Sequence, residues 1–413
     1  MKPNVLERVT RDVPTAQPCV VIHYAEVGLK GENRGMFESQ LMRNIKRALA
    51  DVGIGRVRRF HGRFALVLPR DYDWELLESR LKNVFGVAYF APAVLTEQAI
   101  EPIEAAALAL MKQMVFQTFR VSTRRSQKAF PYNSQQVNVR IGAAIQKQSG
   151  ARVDLSHPQR TCYIEIFDRF AILYAERIAG PRGLPVGVSE RAVSLLSAGI
   201  DSPVASYTIM KRGVRLIFVH FHSVPFTSDA SIRNSGRLVR LLTQYQYDSK
   251  LYLVPFLEVQ QEIMLKAPTD YRVVLYRRFM LRLAERIARR ERARALVTGE
   301  SIAQVASQTL SNLQVINEVT RLPVLRPLSG NDKEEIVEMA RKLGTYDISV
   351  EPYEDCCSLF VPRHPVTRAR LEVVQEAEAR LDVEGLIRDA LQRAEVVRFR
   401  FPEGGTGPTD GTG

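Results

Sequence analysis

The sequence predicts an α/β protein: a doubly wound parallel-sheet domain in the C-terminal half, preceded by two small α+β domains. Three observations predict it. From Ala192 onward, continuous apolar runs alternate with helical patterns, as parallel strands covered on both faces require. Before that point, a β-branched strand, an amphipathic helix and a hairpin pattern fill residues 1–75, and a second alternation of helix and strand fills 76–178. Between the halves, "AGPRGLPVGVSER" (179–191) is rich in Gly and Pro and reads as a linker.

The elements follow in order. The first 18 residues carry three prolines and read as irregular. "CVVIHY" is a strand, and "AEVGLKGENR" after it a glycine-punctuated loop. In "GMFESQLMRNIKRALADVG", Phe37, Leu41, Ile45 and Leu49 recur at helical spacing, with Gly53 just past the end. "VRRFHGRFALVLP" reads as a hairpin turning at His61-Gly62. "ELLESRLKNVFGV" and "IEPIEAAALALMKQMV" read as helices, "TFRVSTRR" and "RTCYIEIFDRFAILYAERI" as strand material. A polar, basic stretch between them leads into a further helix. In 192–400, "AVSLLS", a helix closed by Gly213, "VRLIFVHFH", "KLYLVPF", a long helix to about Ala293 and "ARALVTG" repeat a strand–helix theme. Residues 401–413, ending in "EGGTGPTDGTG", are a low-complexity tail expected to be disordered.

Composition narrows the function. The chain has 413 residues, 46% hydrophobic and 25% charged, as in globular proteins. Its net charge of +13 points to a polyanionic partner, nucleic acid being the commonest. No apolar run is long enough for a membrane span, and no secretory h-region stands at the N-terminus. The four cysteines match neither a disulfide framework nor a zinc pattern, so a reducing cytoplasm and no metal site are expected. Cys19 and Cys162 sit in strand patterns and read as buried and inert. Cys356-Cys357 lies in the loop-like "PYEDCCSLFVPRHP" near Arg363 and His364, where positive neighbours favour a thiolate.

Ser197, Ala198, Gly199, Ile200, Asp201 and Ser202 stand between the first strand of the C-terminal half and its helix. Small residues let backbone amides approach an anion, a helix N-terminus favours negative charge, and Pro203 fits the first helical turn. Neither G-x-x-x-x-G-K-[ST] nor G-x-G-x-x-G is present, and spacing alone leaves an ordinary strand–turn–helix corner open. Arg120, Arg124, Arg125, Lys128, Asn138 and Arg140 cluster in sequence with Phe130 and Tyr132. Basic residues supply phosphate affinity and aromatics stack on bases; a solvated basic loop is the competing reading.

S-x-G-x-D-S after an apolar strand resembles the PP-loop of the ATP pyrophosphatases (adenine nucleotide alpha hydrolase-like fold). That family usually has S-G-G-x-D-S; Ala198 stands at the first glycine and is strained if that position needs φ > 0. "VTGESIAQVASQTLSNLQVIN", "RPLSGNDKEEIVEMARKLGTYDIS", "PYEDCCSLFVPRHPVTR" and "AEVGLKGENR" resemble the tRNA 4-thiouridine synthetase family, in order and along almost the whole chain. The resemblance implies a ferredoxin-like domain, an RNA-binding THUMP domain and a PP-loop catalytic domain; the rhodanese-like domain of some members is expected to be missing. It implies nucleotide contacts at Leu195, Leu196, His220, Phe221, Arg277, Gly299 and Gln308, beside Ser197, Gly199, Asp201 and Ser202 of the loop. Asp201 would orient Mg²⁺ or the loop, and Cys356 or Cys357, with Cys357 preferred, would carry a persulfide. The implied reaction adenylates O4 of uridine 8 in tRNA with ATP, releases pyrophosphate, and replaces AMP by sulfur. The implied partners are tRNA, a cysteine desulfurase as donor and a second copy of the chain. A sulfur-carrier protein of thiamine thiazole synthesis is an alternative acceptor, and a non-catalytic RNA-binding protein with a degenerate loop is the competing class.

Overall fold

A computed structural model describes residues 4–13, 15–53, 57–60, 62–69, 71–126, 129–354, 360 and 364–403. The chain divides into two compact units, Met1–Leu184 and Pro185–Gly404.

The first unit opens with α1 (Asn4–Asp12), where the sequence reading expected irregular chain. Leu6, Val9 and Val13 are buried at helical spacing. The prolines bracket this short helix and do not interrupt it. Then come β1 (Gln17–Tyr24), α2 (Arg34–Ala48), β2 (Val57–Phe60), β3 (Arg63–Val67), α3 (Trp74–Leu81), β4 (Val87–Glu97), α4 (Ile100–Lys112), β5 (Thr118–Arg125), α5 (Ser134–Ser149), β6 (Arg152–Val153), β7 (Arg160–Ile166), β8 (Phe170–Tyr174) and β9 (Ile178–Ala179). Among the described residues they form one sheet in the order β2-β3-β1-β4-β8-β7-β5-β6, with β9 paired to β4.

β4 joins the two α+β halves: it pairs antiparallel with β1 along 87–95 and with β8 along 94–97. The sequence reading did not anticipate it, because Pro92 interrupts its apolar run. Pro92 lies between the residues that pair with β9 and those that pair with β8, so among the described residues β4 has a neighbour on one side only there, in keeping with proline's edge preference. α4 and α5 pack on one sheet face. The opposite face carries Cys19, Val21, Ala65, Ala91, Ala93, Ile172 and Tyr174, partly covered by Phe60, Phe167 and Phe170.

The second unit contains β10 (Arg191–Leu195), α6 (Asp201–Met210), β11 (Arg215–His222), α7 (Ala230–Gln246), β12 (Asp248–Pro255), α8 (Leu257–Lys266), α9 (Arg272–Arg290), β13 (Ala295–Val297), α10 (Leu310–Asn317), β14 (Val324–Leu325), α11 (Lys333–Leu343), α12 (Tyr346–Ser349), α13 (Leu371–Glu378), α14 (Val383–Gln392) and β15 (Glu395–Arg400). The sheet runs β14-β13-β10-β11-β12-β15; the first five strands are parallel and β15 is antiparallel to β12. Neighbouring residues of β10 face opposite layers: Val193 joins the core built on α9, while Ser194 Oγ lies 2.8 Å from Ser206 Oγ of α6. The expected long helix to Ala293 is two helices. Ala267 before Pro268 is extended, as pre-proline residues prefer, and α9 restarts after a short turn. The chain steps from β10 to β11 and β12, then returns to place β13 on β10's other side. A switch point therefore lies at the carboxyl ends of β10 and β13, where open α/β sheets bind ligands.

Candidate functional site

A cleft opens at this switch point. It is lined by Leu195, Leu196, Ser197, Asp201, Ser202, His220, Phe221, Arg277, Gly299 and Gln308, with Met280, Thr298 and Glu300. Ten sequence-predicted positions thus come together from β10, β11, the start of α6, α9 and the turns after β10 and β13.

The loop after β10 is closed by its own serines. Ser197 N donates to Ser202 Oγ at 2.9 Å, and Ser202 Oγ donates to Ser197 O at 3.1 Å. Gly199 N donates to Ser197 Oγ at 3.3 Å, and Ser206 Oγ to Ser202 O at 2.8 Å. Gly199 is not among the residues lining the cleft. Ala198 is fully buried, and its φ is not positive. The strain that an alanine would carry at a left-handed position is therefore absent.

The tight fit lies at Gly299. A Cβ there would stand 2.7 Å from Ser202 N and 2.8 Å from the Asp201 carbonyl carbon, so the turn after β13 is pressed against the start of α6. His220 is buried and braces the same corner: Nδ1 lies 2.9 Å from Leu196 O and Nε2 3.3 Å from Ser231 Oγ. Asp201 Oδ1 accepts from Lys333 Nζ of α11 at 2.5 Å. Gln308 is 7% exposed, and its Oε1 has no hydrogen-bond partner among the described residues. A buried amide oxygen left unsatisfied is costly, which suits a site completed by a ligand donor.

Glu300 is buried. Its Oε2 accepts from Thr298 Oγ1 at 2.8 Å and Arg326 Nε at 2.6 Å, and its Oε1 lies 3.9 Å from Arg277 Nη1. Sequence reasoning missed Met280, Thr298, Glu300 and Lys333. Glu300 lay inside a quoted motif, but nothing in its spacing shows which arginines it meets.

Cys356 and Cys357 lie outside the described residues, as does Lys128. The chain on either side of the cysteine pair is described. Ser349 Oγ donates to Gly199 O at 3.2 Å, Tyr353 Oη would be 3.3 Å from a Cβ at Gly199, and Ser228 N donates to Glu354 Oε2 at 3.1 Å. On the far side, Thr309 Oγ1 donates to Thr367 O and Asn312 Nδ2 to Val366 O, both at 2.7 Å. Cys19 and Cys162 are buried, and burial pushes both thiols up to about 12, as inert cysteines should be.

The expected RNA-contacting residues do not form one cluster. Arg120 and Arg124 alternate with Arg125 along β5, so they face opposite sides of the sheet. Arg125 Nη1 donates to Tyr132 O at 2.8 Å, Asn138 Oδ1 accepts from Thr123 N at 2.9 Å, and Arg140 Nε donates to Glu104 Oε2 at 2.7 Å. Asn138 and Arg140 tie α5 to β5 and α4, and Arg125 ties β5 to the turn before α5. Phe130 is buried and offers no stacking face. Arg120 is bonded to Thr161 Oγ1 at 3.2 Å, and Arg124 is exposed. On the Arg124 side the sequence missed a group of rings and cations. The Arg177 guanidinium lies 3.7 Å from the Tyr163 ring centroid and 4.7 Å from that of Tyr89, and His23 stacks on Tyr89 at 4.3 Å. Burial, then the charges of Arg63, Arg177 and Arg124, hold the His23 imidazole down at about 3.

Comparison with known proteins agrees in order along the chain. Residues 187–383 match the family model described as thiamine biosynthesis protein (ThiI), 19–91 the ThiI ferredoxin-like domain and 97–176 the THUMP domain. A probable tRNA sulfurtransferase of Thermus thermophilus is 46% identical over 379 residues, 92% of this chain and 93% of the relative. One from Moorella thermoacetica is 45% identical over 379 residues, 92% of this chain and 97% of the relative. A crystal structure of a 4-thiouridine synthetase–RNA complex with bound ATP superposes with TM-score 0.86 at 36% identity, over 93% of this chain and 100% of that one.

Proposed function

The chain belongs to the tRNA sulfurtransferase family, and on that premise we propose that it makes 4-thiouridine in tRNA, using ATP to activate the uridine. The observation that carries the ATP reading is the switch-point cleft. It joins a serine-closed loop at a helix start to an arginine and a buried, unsatisfied amide. Leu195, Phe221 and Met280 supply apolar wall for a base. Ser197, Ser202 and Arg277 supply donors for phosphate.

Uridine O4 attacks the α-phosphorus, pyrophosphate leaves, and the adenylated O4 becomes a good leaving group. A persulfide sulfur on Cys356 or Cys357 then bonds to C4 as AMP departs. A second thiol breaks the S–S bond to free the product, and an external thiol reductant restores the enzyme. A cysteine desulfurase is the donor in this scheme. Ser349 is bonded to Gly199 of the loop and Glu354 to Ser228 before α7, so the described chain leading to the cysteine pair is tied to this corner, which supports the pair as sulfur carrier.

Asp201 is the cleft carboxylate that would hold Mg²⁺, since Glu300 is taken up by Arg277 and Arg326. Among the described residues no three acidic, His or Cys groups converge, so ATP phosphates would be its main ligands with Asp201 the protein contact. When bound it would neutralise phosphate charge. RNA is assigned to the first unit, on the face bearing Arg120, Arg124 and Arg177 with Tyr89 and Tyr163, where cations meet phosphate and rings meet bases.

The test is nucleoside mass spectrometry of tRNA from cells lacking the gene, complemented with wild type or with a Cys356→Ser/Cys357→Ser double variant. 4-Thiouridine should disappear in the deletion and return only with wild type. Thiolation without ATP consumption, or persistence of 4-thiouridine in the deletion, counts against the reading. A second acceptor, a sulfur-carrier protein, is the other reading; the matched family model is described as a thiamine biosynthesis protein, and a thiamine requirement of the deletion strain checks it.

A further inference from the structure

We propose that Glu300 is a positioning residue that holds the Arg277 guanidinium at the nucleotide cleft. This rests on the ATP reading above and deepens it. The two carboxylate oxygens of Glu300 have different surroundings. Oε2 is filled from behind by Thr298 Oγ1 at 2.8 Å and Arg326 Nε at 2.6 Å. Arg326 is itself fixed, its Nη2 donating to Asn317 Oδ1 at 2.8 Å. That leaves Oε1 facing Arg277 Nη1 at 3.9 Å, inside ion-pair range and outside hydrogen-bond range.

Glu300 is 4% exposed and the Arg326 side chain 12% exposed, so water screens that pair weakly, while the Arg277 side chain at the cleft is 26% exposed. Two guanidiniums on one carboxylate leave one positive charge over at the cleft, the sign a polyphosphate needs. Without the carboxylate the two cations repel, and Arg277 loses an anion that directs it. Arg277 comes from α9, whereas Glu300 and Arg326 follow β13 and β14. The group therefore also sets the distance from helix to sheet edge at the switch point.

The experiment measures direct ATP binding by calorimetry, and ATP KM, tRNA KM and kcat for thiolation, in wild type, Glu300→Gln, Arg277→Ala and the double variant. Glu300→Gln should raise the ATP Kd and KM about tenfold, with tRNA KM and kcat within about threefold of wild type. The double variant should be no worse than Arg277→Ala, because the two residues act as one unit. Unchanged ATP affinity in Glu300→Gln, or effects of the two substitutions that multiply, overturns the proposal. A collapse of kcat and both KM values together also overturns it, since that marks a structural role only. Should Glu300→Gln not fold, Thr298→Val removes one anchor of Oε2, and a two- to fivefold rise in ATP KM alone is expected; no rise overturns the proposal. If wild type itself neither binds ATP nor needs it for thiolation, the functional reading fails first, which separates the two.

Discussion

Gly299 and Ala198 show opposite tolerances within one corner. A Cβ on Gly299 would overlap the backbone of Ser202 and Asp201, which cannot move without shifting the start of α6. We expect Gly299→Ala to weaken ATP binding at least tenfold while leaving the fold intact by circular dichroism. Ala198→Gly should leave ATP affinity within about twofold, because its φ is ordinary and the left-handed freedom of glycine is not used. His23 gives a second prediction at this scale. Its folded pKa of about 3 lies below the unfolded value of 6.5, so the unfolded chain takes up the proton first on acidification. The contribution is present above pH 6.5 and is lost as pH falls toward 3. Between pH 7 and pH 5 it amounts to about 2 kcal/mol. Urea unfolding at both pH values should show that loss in wild type and a smaller one in His23→Phe; equal losses would refute it.

At the scale of elements, α9 does two jobs with neighbouring residues. Arg277 turns toward the cleft, and Arg278, 1% exposed, turns toward α13. Arg278 Nε and Nη2 each donate to Glu378 at 2.8 Å, and Arg282 Nη2 donates to the same carboxylate at 2.9 Å. Burial alone would raise the Glu378 carboxyl, but bonds from Arg282 and Arg278 outweigh it and bring it to about 2. Removing Glu378 leaves the buried Arg278 with only the half-exposed Glu318 as counter-ion, so Glu378→Ala should cost about 3 kcal/mol or more in urea unfolding. A combined Arg278→Met/Glu378→Leu variant should cost less, since the groups it leaves behind, Arg282 and Glu318, are both part-exposed. A double variant as unstable as the single one would show that packing, not charge, joins α9 to α13.

At the scale of the whole molecule, a net charge of +13 sets how the chain meets RNA. Affinity for tRNA should fall steeply with salt, and Arg124→Ala or Arg177→Ala should each reduce the slope of log K against log salt by about 1. Filter binding from 50 to 200 mM salt checks this; an unchanged slope in both variants would move the RNA surface elsewhere. ATP affinity should respond less to salt, because part of the cleft wall is apolar.

The sequence by itself determined the strands and helices whose hydrophobic periodicity is unbroken, the loop after β10 and the order of the domains. Those signals are local: each is written in residues a few positions apart. It misread α1, β4 and the break at Pro268, because prolines there mark boundaries or one-sided strands that only pairing partners reveal. For the cleft it supplied the loop and, through resemblance, the positions from β11, α9 and the turn after β13. The tertiary structure alone decided that these meet at one switch point, and that Gly299, not Ala198, is the crowded position. It also decided that Arg125, Asn138 and Arg140 bind their own chain. The physical reason is that direction and distance between side chains far apart in sequence are set by sheet order and helix packing, which no local pattern encodes.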